Sequence, residues 1–596
     1  MGIYYIDGVR FSRALLAGVR RLISQQEYLN KINVFPVPDN DTGTNMGFTV
    51  SSIEKSIEDN AEVYINRVAD MVGELSIDNA RGNSGVILAQ FFIGFSEGVR
   101  DQHRIKVNDF IHALQMAKSF AYDALLEPKE GTILTVITDW IQSMQTASQS
   151  MHDFKKILGH GLEDAQRSLK RTTLQMSVLT KAKVVDAGAQ GFINLLEGIQ
   201  DFIQTGKIQE VDQIEIPQIT ISEPITFNEK YRYCTECLIS GENVDRNLIK
   251  TQLAEFGDSI VVAGSKSKVK IHIHTDTPKT IVNICQKFGV VTDEKADDML
   301  RQQHDAHGIH RDVAVIVDSG CDLPEEILKK YNIHMVPVRL NFGQDHYVDK
   351  ITISSEEFWK ELKSNPTHPQ TSQPTPGDFL RKYQLLSSHY KKAISIHIHE
   401  QLSGTFQSAS NAASQMNSFP ISVIDSRNAS IGIGLIAIQV AEAVENGMQY
   451  DKLLNQAETA IRNTKVFVGL TTLEYVVRGG RVPASKKKIA DLLHINPILS
   501  LSDSGIKAVG KSFGKKNILP KFKKFVEKSI DWNKPCRIGI AHTNNEEVAQ
   551  RWGEEFGRRI GDENIFISEV GPAVGVHSGP EGMVIAVQTL EESLHD

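Results

Sequence analysis

The stretch from Asn33 to Met46 constrains this chain most, because its sequence, NVFPVPDNDTGTNM, combines two prolines with two closely spaced aspartates. Proline fixes φ and cannot continue a helix, so we predict an extended turn. Asp39 and Asp41 can both reach one hard cation, and oxygen ligation shared with phosphates is typical of Mg²⁺ at nucleotide sites. An ordinary Asx turn is the alternative. The following Thr-Gly-Thr-Asn favours the metal site, because it adds hydroxyl and N–H donors for phosphate.

The motif PVPDNDTGTNM closely resembles the PVPDGDTGTNM signature of the DhaL-type ATP-binding domain. That domain occurs in dihydroxyacetone kinases and in the kinase subunit of bacterial fatty acid kinase. Asn40 stands where the family usually has Gly. Asn tolerates positive φ better than most residues, so we expect the turn to be retained.

Bulk properties exclude several classes of protein. A chain of 596 residues is too long for one core and suggests three or four domains. The net charge of −8 argues against nucleic acid as a partner. The sequence has no apolar run of about 18 residues, which a membrane-spanning helix needs. Five cysteines do not form a disulfide framework in so long a chain, so we expect a cytoplasmic protein.

Residues 1–205 are predicted to form an all-helical domain. Apolar residues recur at helical spacing from Phe11 to Ile23, and amphipathic segments follow at about 61–75, 84–99, 107–126, 132–147, 153–170 and 188–204. Two glycine-containing motifs, DNARGNSG at 78–85 and VDAGAQG at 185–191, precede or open helices. Helix starts of this kind bind anions, although ordinary capping is the favoured explanation of such a motif when it is taken alone.

Both motifs match the DhaL pattern, and EGTIL at 130–134 resembles the fatty-acid-kinase branch of that family. The resemblance implies an eight-helix antiparallel barrel with ATP and Mg²⁺ at its open end. It assigns Mg²⁺ to Asp39 and Asp41 as catalytic residues. The residues expected to position the metal, the phosphates or the nucleotide are Asn33, Thr42, Asn45, Asn83, Ser84, Asp186 and Gly188.

Residues 215–310 are predicted to form a small middle α/β domain after a linker or edge strand at about 206–226. Strand patterns occur near 231–237, 259–264 and 269–275, and helices are plausible at 245–256 and 279–288. His272 and His274 share a strand face and could bind Zn²⁺ with Cys234, whereas Cys237 should face away from Cys234. A surface pair is the commoner explanation of two such histidines. CTE and HIHTDTP, however, resemble the middle domain of the fatty acid kinase subunit, which implies zinc at Cys234, His272 and His274.

Residues 311–596 are predicted to form a two-lobed α/β fold. Apolar strands at 312–317, 393–398 and 421–426 alternate with helices, and later strands near 466–471, 497–501, 536–542 and 582–588 suggest a second lobe. Ligands of such open sheets lie beyond the carboxyl ends of the strands. The turn Ser403-Gly404-Thr405 opens a helix, where an anion binds well, although simple N-capping explains the turn alone.

The segments DSGCDLP, TSQPTP, LSGTFQSA, VIDS, RGGR and GPAVGVH together resemble the DegV family across about 285 residues. That family binds fatty acids and includes the acyl-carrying subunit of fatty acid kinase. The resemblance implies an acyl tail in an apolar cavity between the lobes. The residues expected around the acyl carboxylate are Thr371, Ser372, Ser403, Gly404, Thr405, Arg481 and His577. Glu581 departs from the family pattern and either disturbs this anion site or faces solvent, the commoner outcome.

The two resemblances together imply a fusion of DhaL-type and DegV domains that acts as an ATP-dependent fatty acid kinase. Arg481 and His577 would orient the carboxylate, which attacks the γ-phosphate to give acyl phosphate and ADP. The partners it implies are a fatty acid, a second copy in a homodimer, and an acyltransferase at the membrane that uses the product. The alternatives are a kinase for a small hydroxylated substrate such as dihydroxyacetone, and a non-catalytic lipid-binding or regulatory protein, which Asn40 and Glu581 keep open.

Overall fold

The computed structural model describes residues 2–35, 40–59, 62–208, 230–300, 311–387, 389–416, 418–483, 495–513 and 518–590. The chain divides into two compact units, Met1–Gly308 and Ile309–Asp596. Asp39 and most of the linker predicted at about 206–226 lie outside the described residues. Within the described ranges, no helix combines the length and the apolar character needed to cross a bilayer.

The first unit begins with a helical region in which the described residues form eight long helices and two short ones. In chain order they are α1 (Gly8–Ser24), α2 (Gln26–Lys31), α3 (Thr42–Asp59), α4 (Ile65–Asn79), α5 (Gly82–Val99), α6 (Val107–Asp123), α7 (Ile133–Ser148), α8 (Phe154–Gln175), α9 (Ser177–Ala182) and α10 (Ala187–Thr205). Each long helix packs on its neighbours, and the ring closes because α10 lies against α1. The helical fold predicted from the apolar spacing is confirmed. Two short strands, β1 (Ile6–Asp7) and β2 (Arg104–Ile105), pair antiparallel beside it.

The interior of this ring is apolar and rich in aromatic residues. Phe192 packs edge-on against both Phe91 and Trp140, with ring centroids 5.6 and 5.4 Å apart. Aspartates cap helices around the ring: Asp7 accepts the N–H of Arg10, and Asp186 accepts that of Ala189. These caps satisfy N–H groups that a helix start leaves free, which fixes where each helix begins.

The middle region is a four-stranded antiparallel sheet of order β4-β5-β3-β6 with two helices. Its elements are β3 (Tyr233–Ser240), α11 (Arg246–Leu253), β4 (Asp258–Gly264), β5 (Lys268–Thr275), α12 (Pro278–Cys285) and β6 (Val290–Asp298). The three predicted strands and both helices are confirmed. The pattern missed β6, because its sequence, VVTDEKADD, is too polar to read as a strand.

This sheet is joined to the helical region by hydrogen bonds from its backbone to both side-chain and backbone acceptors. The N–H of Gly264 in β4 donates to Gln90 Oε1 of α5 at 2.7 Å, and both residues are buried. The N–H of Val262 donates to the carbonyl of Ala124 at 2.8 Å. The helices and the sheet therefore form a single unit, and one face of the sheet lies over α5.

The second unit contains thirteen strands and ten helices in its described part. The strands are β7 (Val313–Asp318), β8 (Ile333–Val336), β9 (Arg339–Phe342), β10 (Asp345–Val348), β11 (Gln370–Ser372), β12 (Lys392–His397), β13 (Ile421–Asp425), β14 (Thr464–Gly469), β15 (Ile495–Ser502), β16 (Gly505–Phe513), β17 (Cys536–His542), β18 (Ile565–Glu569) and β19 (Met583–Thr589). The helices are α13 (Glu325–Lys330), α14 (Ser355–Ser364), α15 (Pro376–Ser387), α16 (Thr405–Ala413), α17 (Ile431–Glu445), α18 (Tyr450–Asn463), α19 (Glu474–Arg478), α20 (Ile518–Ser529), α21 (Glu546–Ile560) and α22 (Pro572–Ser578).

Two larger sheets divide this unit into lobes. Strands β13-β12-β7-β8 form a parallel sheet, and β16-β15-β14-β19-β17-β18 form a mixed sheet in which only the β17–β18 pair is parallel. A small antiparallel sheet of β10, β9 and β11 lies apart from both. Helix α17 is buried along most of its length and contacts strands of both large sheets, which explains its almost wholly apolar sequence, IGIGLIAIQVAEAVE. The predicted two-lobed α/β fold is confirmed.

Candidate functional site

The described end of the Asp39–Asp41 turn adopts the backbone that the sequence requires. Asn40 has φ of +56°, in the left-handed region that glycine favours, so Asn takes the place of Gly without losing this conformation. Helix α3 begins directly afterwards at Thr42, and the N–H of Asn45 donates to the carbonyl of Asp41 at 2.8 Å. Asp41 therefore lies at the start of α3, where the helix dipole favours negative charge.

The GNSG turn opens α5 beside α3. Gly82 has φ of +58°, and a Cβ there would lie 2.5 Å from Asn45 Nδ2, so a larger residue does not fit. Asn83 and Ser84 follow in the first turn of α5 and line a cleft. Asn83 Oδ1 is buried and has no hydrogen-bond partner among the described atoms. A buried oxygen without a partner is expected where a ligand brings a hydrogen-bond donor.

The DAGA turn brings α10 to the same place. Asp186 caps α10, and its Oδ2 accepts the N–H of Ala189 at 2.8 Å. Burial raises the pKa of Asp186 to about 6. Gly188 allows close packing, because a Cβ there would lie 2.4 Å from Ser84 Oγ. The two helix starts that the sequence singled out are thus in contact.

The starts of α5 and α10 border a cleft of about 480 Å³ between the helical region and the middle sheet, whose lining does not include Asp41, Thr42, Asn45 or Gly188. Asn83, Ser84, Asp186 and His274 are among its lining residues, whereas Asn33 is buried outside that lining. Residues that sequence reasoning did not assign also line it, namely Glu127, Lys129, Thr132, Lys230 and Tyr231. Lys129 directly precedes the EGTIL segment and Thr132 belongs to it, so that motif could have identified both residues.

Cys234, His272 and His274 form a buried cluster on one face of the middle sheet. Their ligand atoms all lie within 4.8 Å of one another, and Cys234 Sγ is 3.7 Å from His272 Nδ1. Strand register explains the cluster, because Cys234 pairs with His274 across β3 and β5. Burial raises the pKa of the Cys234 thiol, and nearby Lys295 acts in the opposite direction.

Cys237 faces the opposite side of β3, as predicted, and belongs to the apolar core of the middle region. Cys234, in contrast, contacts Met299. All five cysteines are free and buried.

The second unit encloses a mainly apolar cavity of about 130 Å³. Its apolar wall comes from the mixed sheet and includes Val466, Val468, Leu499, Leu501, Ile506 and Val584. A polar set also borders it, namely Asp318, Thr371, Ser403, Thr405, Ser430, Arg481 and His577. An apolar cavity with a few converging polar groups suits an amphiphilic ligand with one polar end.

Arg481 and His577 are the main polar groups of this cavity. Arg481 donates from Nε to the carbonyl of Leu402 at 3.1 Å and from Nη1 to that of Gly479 at 2.6 Å, so its guanidinium has a fixed position. His577 Nε2 lies 3.1 Å from Thr371 Oγ1. Burial lowers the pKa of His577 to about 3, and Arg481 contributes to the shift. At neutral pH the imidazole is therefore uncharged, and Arg481 carries the positive charge.

The predicted SGT turn is only partly in the cavity. Ser403 and Thr405 line it, and their hydroxyl oxygens are 2.8 Å apart. Gly404 lies instead against Gln373, because a Cβ there would be 2.0 Å from Gln373 Oε1. Ser372 ends β11 and is exposed, outside the cavity lining.

Two acidic residues near this cavity behave differently. Asp318, which sequence reasoning did not assign, lines the cavity but is fully buried, and its oxygens accept the N–H groups of Gly320 and Ile398. Its place at the end of β7 was the signal that could have identified it. Glu581 is exposed, with φ of +61°, and is not among the cavity-lining residues. Solvent exposure of Glu581 is thus confirmed.

Three family models match successive parts of the chain. Residues 36–201 match the DAK2 domain, residues 230–306 match the FakA-like middle domain of fatty acid kinase, and residues 312–590 match the DegV family. The interval between the first two matches includes the composition change seen in the sequence at about 206–226.

Curated relatives match about half of the chain. Protein YloV of Bacillus subtilis strain 168 is 32% identical over 317 residues, which is 51% of this chain and 57% of that protein. An uncharacterized protein of Staphylococcus epidermidis strain ATCC 12228 is 32% identical over 314 residues, covering 50% and 56% of the two chains. The chain thus spans little more than half the length of the curated relatives it matches.

Solved structures also resemble part of the chain. A DegV family protein from Thermus thermophilus, described for its fatty acid binding, is 27% identical and covers 47% of this chain and 100% of its own, with a TM-score of 0.44. DegV from Bacillus subtilis, described as a fatty acid binding protein, is 26% identical with the same coverages and a TM-score of 0.44.

Proposed function

Because the chain joins a DAK2 domain, a FakA-like middle domain and a DegV domain, we propose that it is an ATP-dependent fatty acid kinase. In this reaction the γ-phosphate of ATP passes to the carboxylate of a bound fatty acid and gives acyl phosphate and ADP. We take the functional domains as residues 1–205, 215–310 and 311–596. The observation that carries the proposal is the convergence of the Asp41 turn and the starts of α5 and α10, because these elements supply groups that bind a metal and phosphates.

The nucleotide half of the reaction needs positioning and charge neutralisation rather than a chemical base. The N–H groups at the start of α5 would bind the phosphates, with Asn83 and Ser84 beside them. Thr42 and Asn45 at the start of α3, and Asp186 and Gly188 at the start of α10, would hold this arrangement. Buried Asn33 would support it from outside the cleft lining. Asn40 adopts the left-handed backbone expected of the glycine that the family usually has there, which speaks against a degenerate site.

Two metals fit the residues present. Asp39 and Asp41 offer the oxygen ligands that Mg²⁺ prefers, and bound Mg²⁺ would neutralise charge on the β- and γ-phosphates. The ligand atoms of Cys234, His272 and His274 all lie within 4.8 Å of one another, which is close enough for one tetrahedral zinc ion. We therefore assign Zn²⁺ to Cys234, His272 and His274.

The acyl half uses the cavity of the second unit. The fatty acid carboxylate is already ionised at neutral pH, so it can attack without a base. One carboxylate oxygen forms a bond to the γ-phosphorus while the bond to the β,γ-bridging oxygen breaks, and ADP leaves with the electron pair. Arg481 would offset the repulsion between the two anions, and neutral His577 with Thr371, Ser403 and Thr405 would orient the headgroup.

This function implies partners beyond the fatty acid. A homodimer would allow transfer between copies as well as within one chain. Acyl phosphate is a reactive mixed anhydride, so we propose a membrane acyltransferase that consumes it.

Trapping of acyl phosphate tests the proposal directly. The full chain is incubated with ATP, Mg²⁺ and a long-chain fatty acid, and hydroxylamine converts acyl phosphate into a hydroxamate. We expect hydroxamate from the native protein. Asp39→Asn or Asp41→Asn should give at most about 1% of that amount, because each variant loses an essential metal ligand. Asp59→Asn, an exposed change at the far end of α3, is the matched control and should retain activity. Bound lipid without hydroxamate from the native protein would instead indicate a non-catalytic carrier.

A further inference from the structure

A fully buried glutamate, Glu236, joins the two halves of the first unit. It lies on β3, two residues from Cys234 and on the same strand face, and it pairs with His272 across β5. Cys234, Glu236, His274 and His272 thus form a two-by-two block on the sheet. This block faces the start of α5.

One oxygen of Glu236 makes both contacts of interest. Oε1 accepts the N–H of Gly82 at 2.7 Å and lies 3.1 Å from His272 Nδ1. Gly82 is the first residue of α5, and the residue before it, Arg81, does not cap the helix through its side chain. Glu236 therefore caps α5 from outside the helical region, across 154 residues of chain.

The other oxygen lies among cations. Oε2 is 3.6 Å from Arg81 Nη1 and 3.9 Å from Lys295 Nζ, and neither partner is much exposed. This compensation explains how a carboxylate can remain fully buried beside a helix start that must also receive phosphate. The two oxygens therefore have separate roles. Oε2 balances the positive charges of Arg81 and Lys295, and Oε1 positions Gly82 relative to His272.

We propose that Glu236 is a positioning residue of the kinase site, which fixes the start of α5 and the Cys/His cluster relative to each other through one oxygen atom. The proposal rests on the proposed function in taking the start of α5 as the phosphate site. Glu236 would therefore let the middle region influence nucleotide binding indirectly, because it positions α5 and does not itself contact the nucleotide.

Two substitutions separate position from charge. Glu236→Gln keeps the length of the side chain and an oxygen that can accept from Gly82, but removes the charge. Glu236→Asp keeps the charge but is one methylene shorter, so its oxygen cannot meet Gly82 N and His272 Nδ1 together. A positioning role predicts that the Asp variant is affected more, whereas a purely charge-balancing role predicts the reverse.

The measurements use the full chain and a non-hydrolysable ATP analogue with Mg²⁺. For Glu236→Asp we expect an affinity loss of about 10- to 100-fold, the size typical of removing a group that orients a site. Hydrogen exchange should accelerate in peptides covering residues 82–88 and stay unchanged in the second unit. Glu242→Asp, an exposed change in the same region, is the matched control and should resemble the native protein.

Native-like affinity and exchange in Glu236→Asp would overturn the proposal, even if Glu236→Gln fails to fold. Failure of the kinase proposal is recognised separately. In that case the native protein forms no acyl hydroxamate, while the ranking of the two variants in nucleotide binding still decides the role of Glu236.

Discussion

At the scale of single residues, the apolar cavity of the second unit has its positive charge on one residue and a neutral hydrogen-bonding group on another. Arg481 and His577 both line it, but burial keeps His577 neutral by lowering its pKa to about 3. Arg481 is held by two backbone carbonyls and provides the positive charge. The two residues should therefore contribute differently to the recognition of an acid.

Substitution of these residues should affect acids and alcohols differently. We expect Arg481→Met to lower fatty acid affinity by at least about tenfold, because a charge-assisted contact contributes about 1.5–3 kcal/mol. The same variant should bind the fatty alcohol of equal chain length as well as the native protein does. His577→Gln, which can still bond to Thr371, should weaken both ligands slightly and equally. Titration with both ligands measures this, and an unchanged acid preference in Arg481→Met would contradict it.

The neutral state of His577 predicts a pH dependence of stability. Its folded pKa lies near 3 and an unfolded histidine titrates near 6.5, so protons bind preferentially to the unfolded chain between these values. The stabilising contribution is therefore present above pH 6.5 and is lost as the pH falls toward 3. From pH 7.5 to pH 5 the native protein should lose about 2 kcal/mol relative to His577→Gln. Urea unfolding, followed by hydrogen exchange of β19, measures this difference, and equal pH profiles would refute it.

At the scale of elements, the sequence predicted those whose residues are apolar and periodic. The long helices and buried strands such as VAVIVD were predictable for this reason. Strand β6 and the small sheet of β9, β10 and β11 were not, because their residues are polar and their pairing depends on distant segments. The candidate nucleotide site was likewise predictable only where local sequence motifs mark it. Motifs located the helix starts, but Lys230 and Tyr231 line the cleft only because the middle sheet packs against the helical region.

The contact between α5 and α10 gives a prediction at this scale. In Gly188→Ala the new Cβ would lie 2.4 Å from Ser84 Oγ, so Ser84 or the start of α10 must shift. We expect nucleotide affinity to fall about tenfold, because a displaced Ser84 would be in a poor position to contact the phosphate that we propose binds here. Gly73→Ala in α4 is the matched control, since its Cβ would lie 3.5 Å from Ile93, an ordinary contact. Affinity should be native there, and equal affinity in both variants would contradict the prediction.

At the scale of the whole molecule, the proposed donor and acceptor sites lie in different compact units. The cleft proposed to bind nucleotide is built within residues 1–308, and the apolar cavity within residues 309–596. Each ligand therefore meets a site that one unit completes by itself. Binding energy gained in one unit need not stabilise the other.

Hydrogen exchange of the full chain tests this separation. The ATP analogue with Mg²⁺ should slow exchange in peptides of the first unit, especially at the starts of α5 and α10. A fatty acid should slow exchange in β14, β15 and β19, whose residues line the cavity. Stabilisation by each ligand follows its own concentration and affinity. Protection of both units by either ligand alone would show that the two sites are coupled.

The carbonyl groups of Leu402 and Gly479 hold the Arg481 side chain before any acid arrives. A headgroup contact that is already rigid should contribute a nearly constant amount for every member of a homologous acid series. Differences within the series then come from the hydrocarbon, at about 0.8 kcal/mol for each added methylene. The chain length at which this increment vanishes would serve as a molecular ruler for the depth of the cavity.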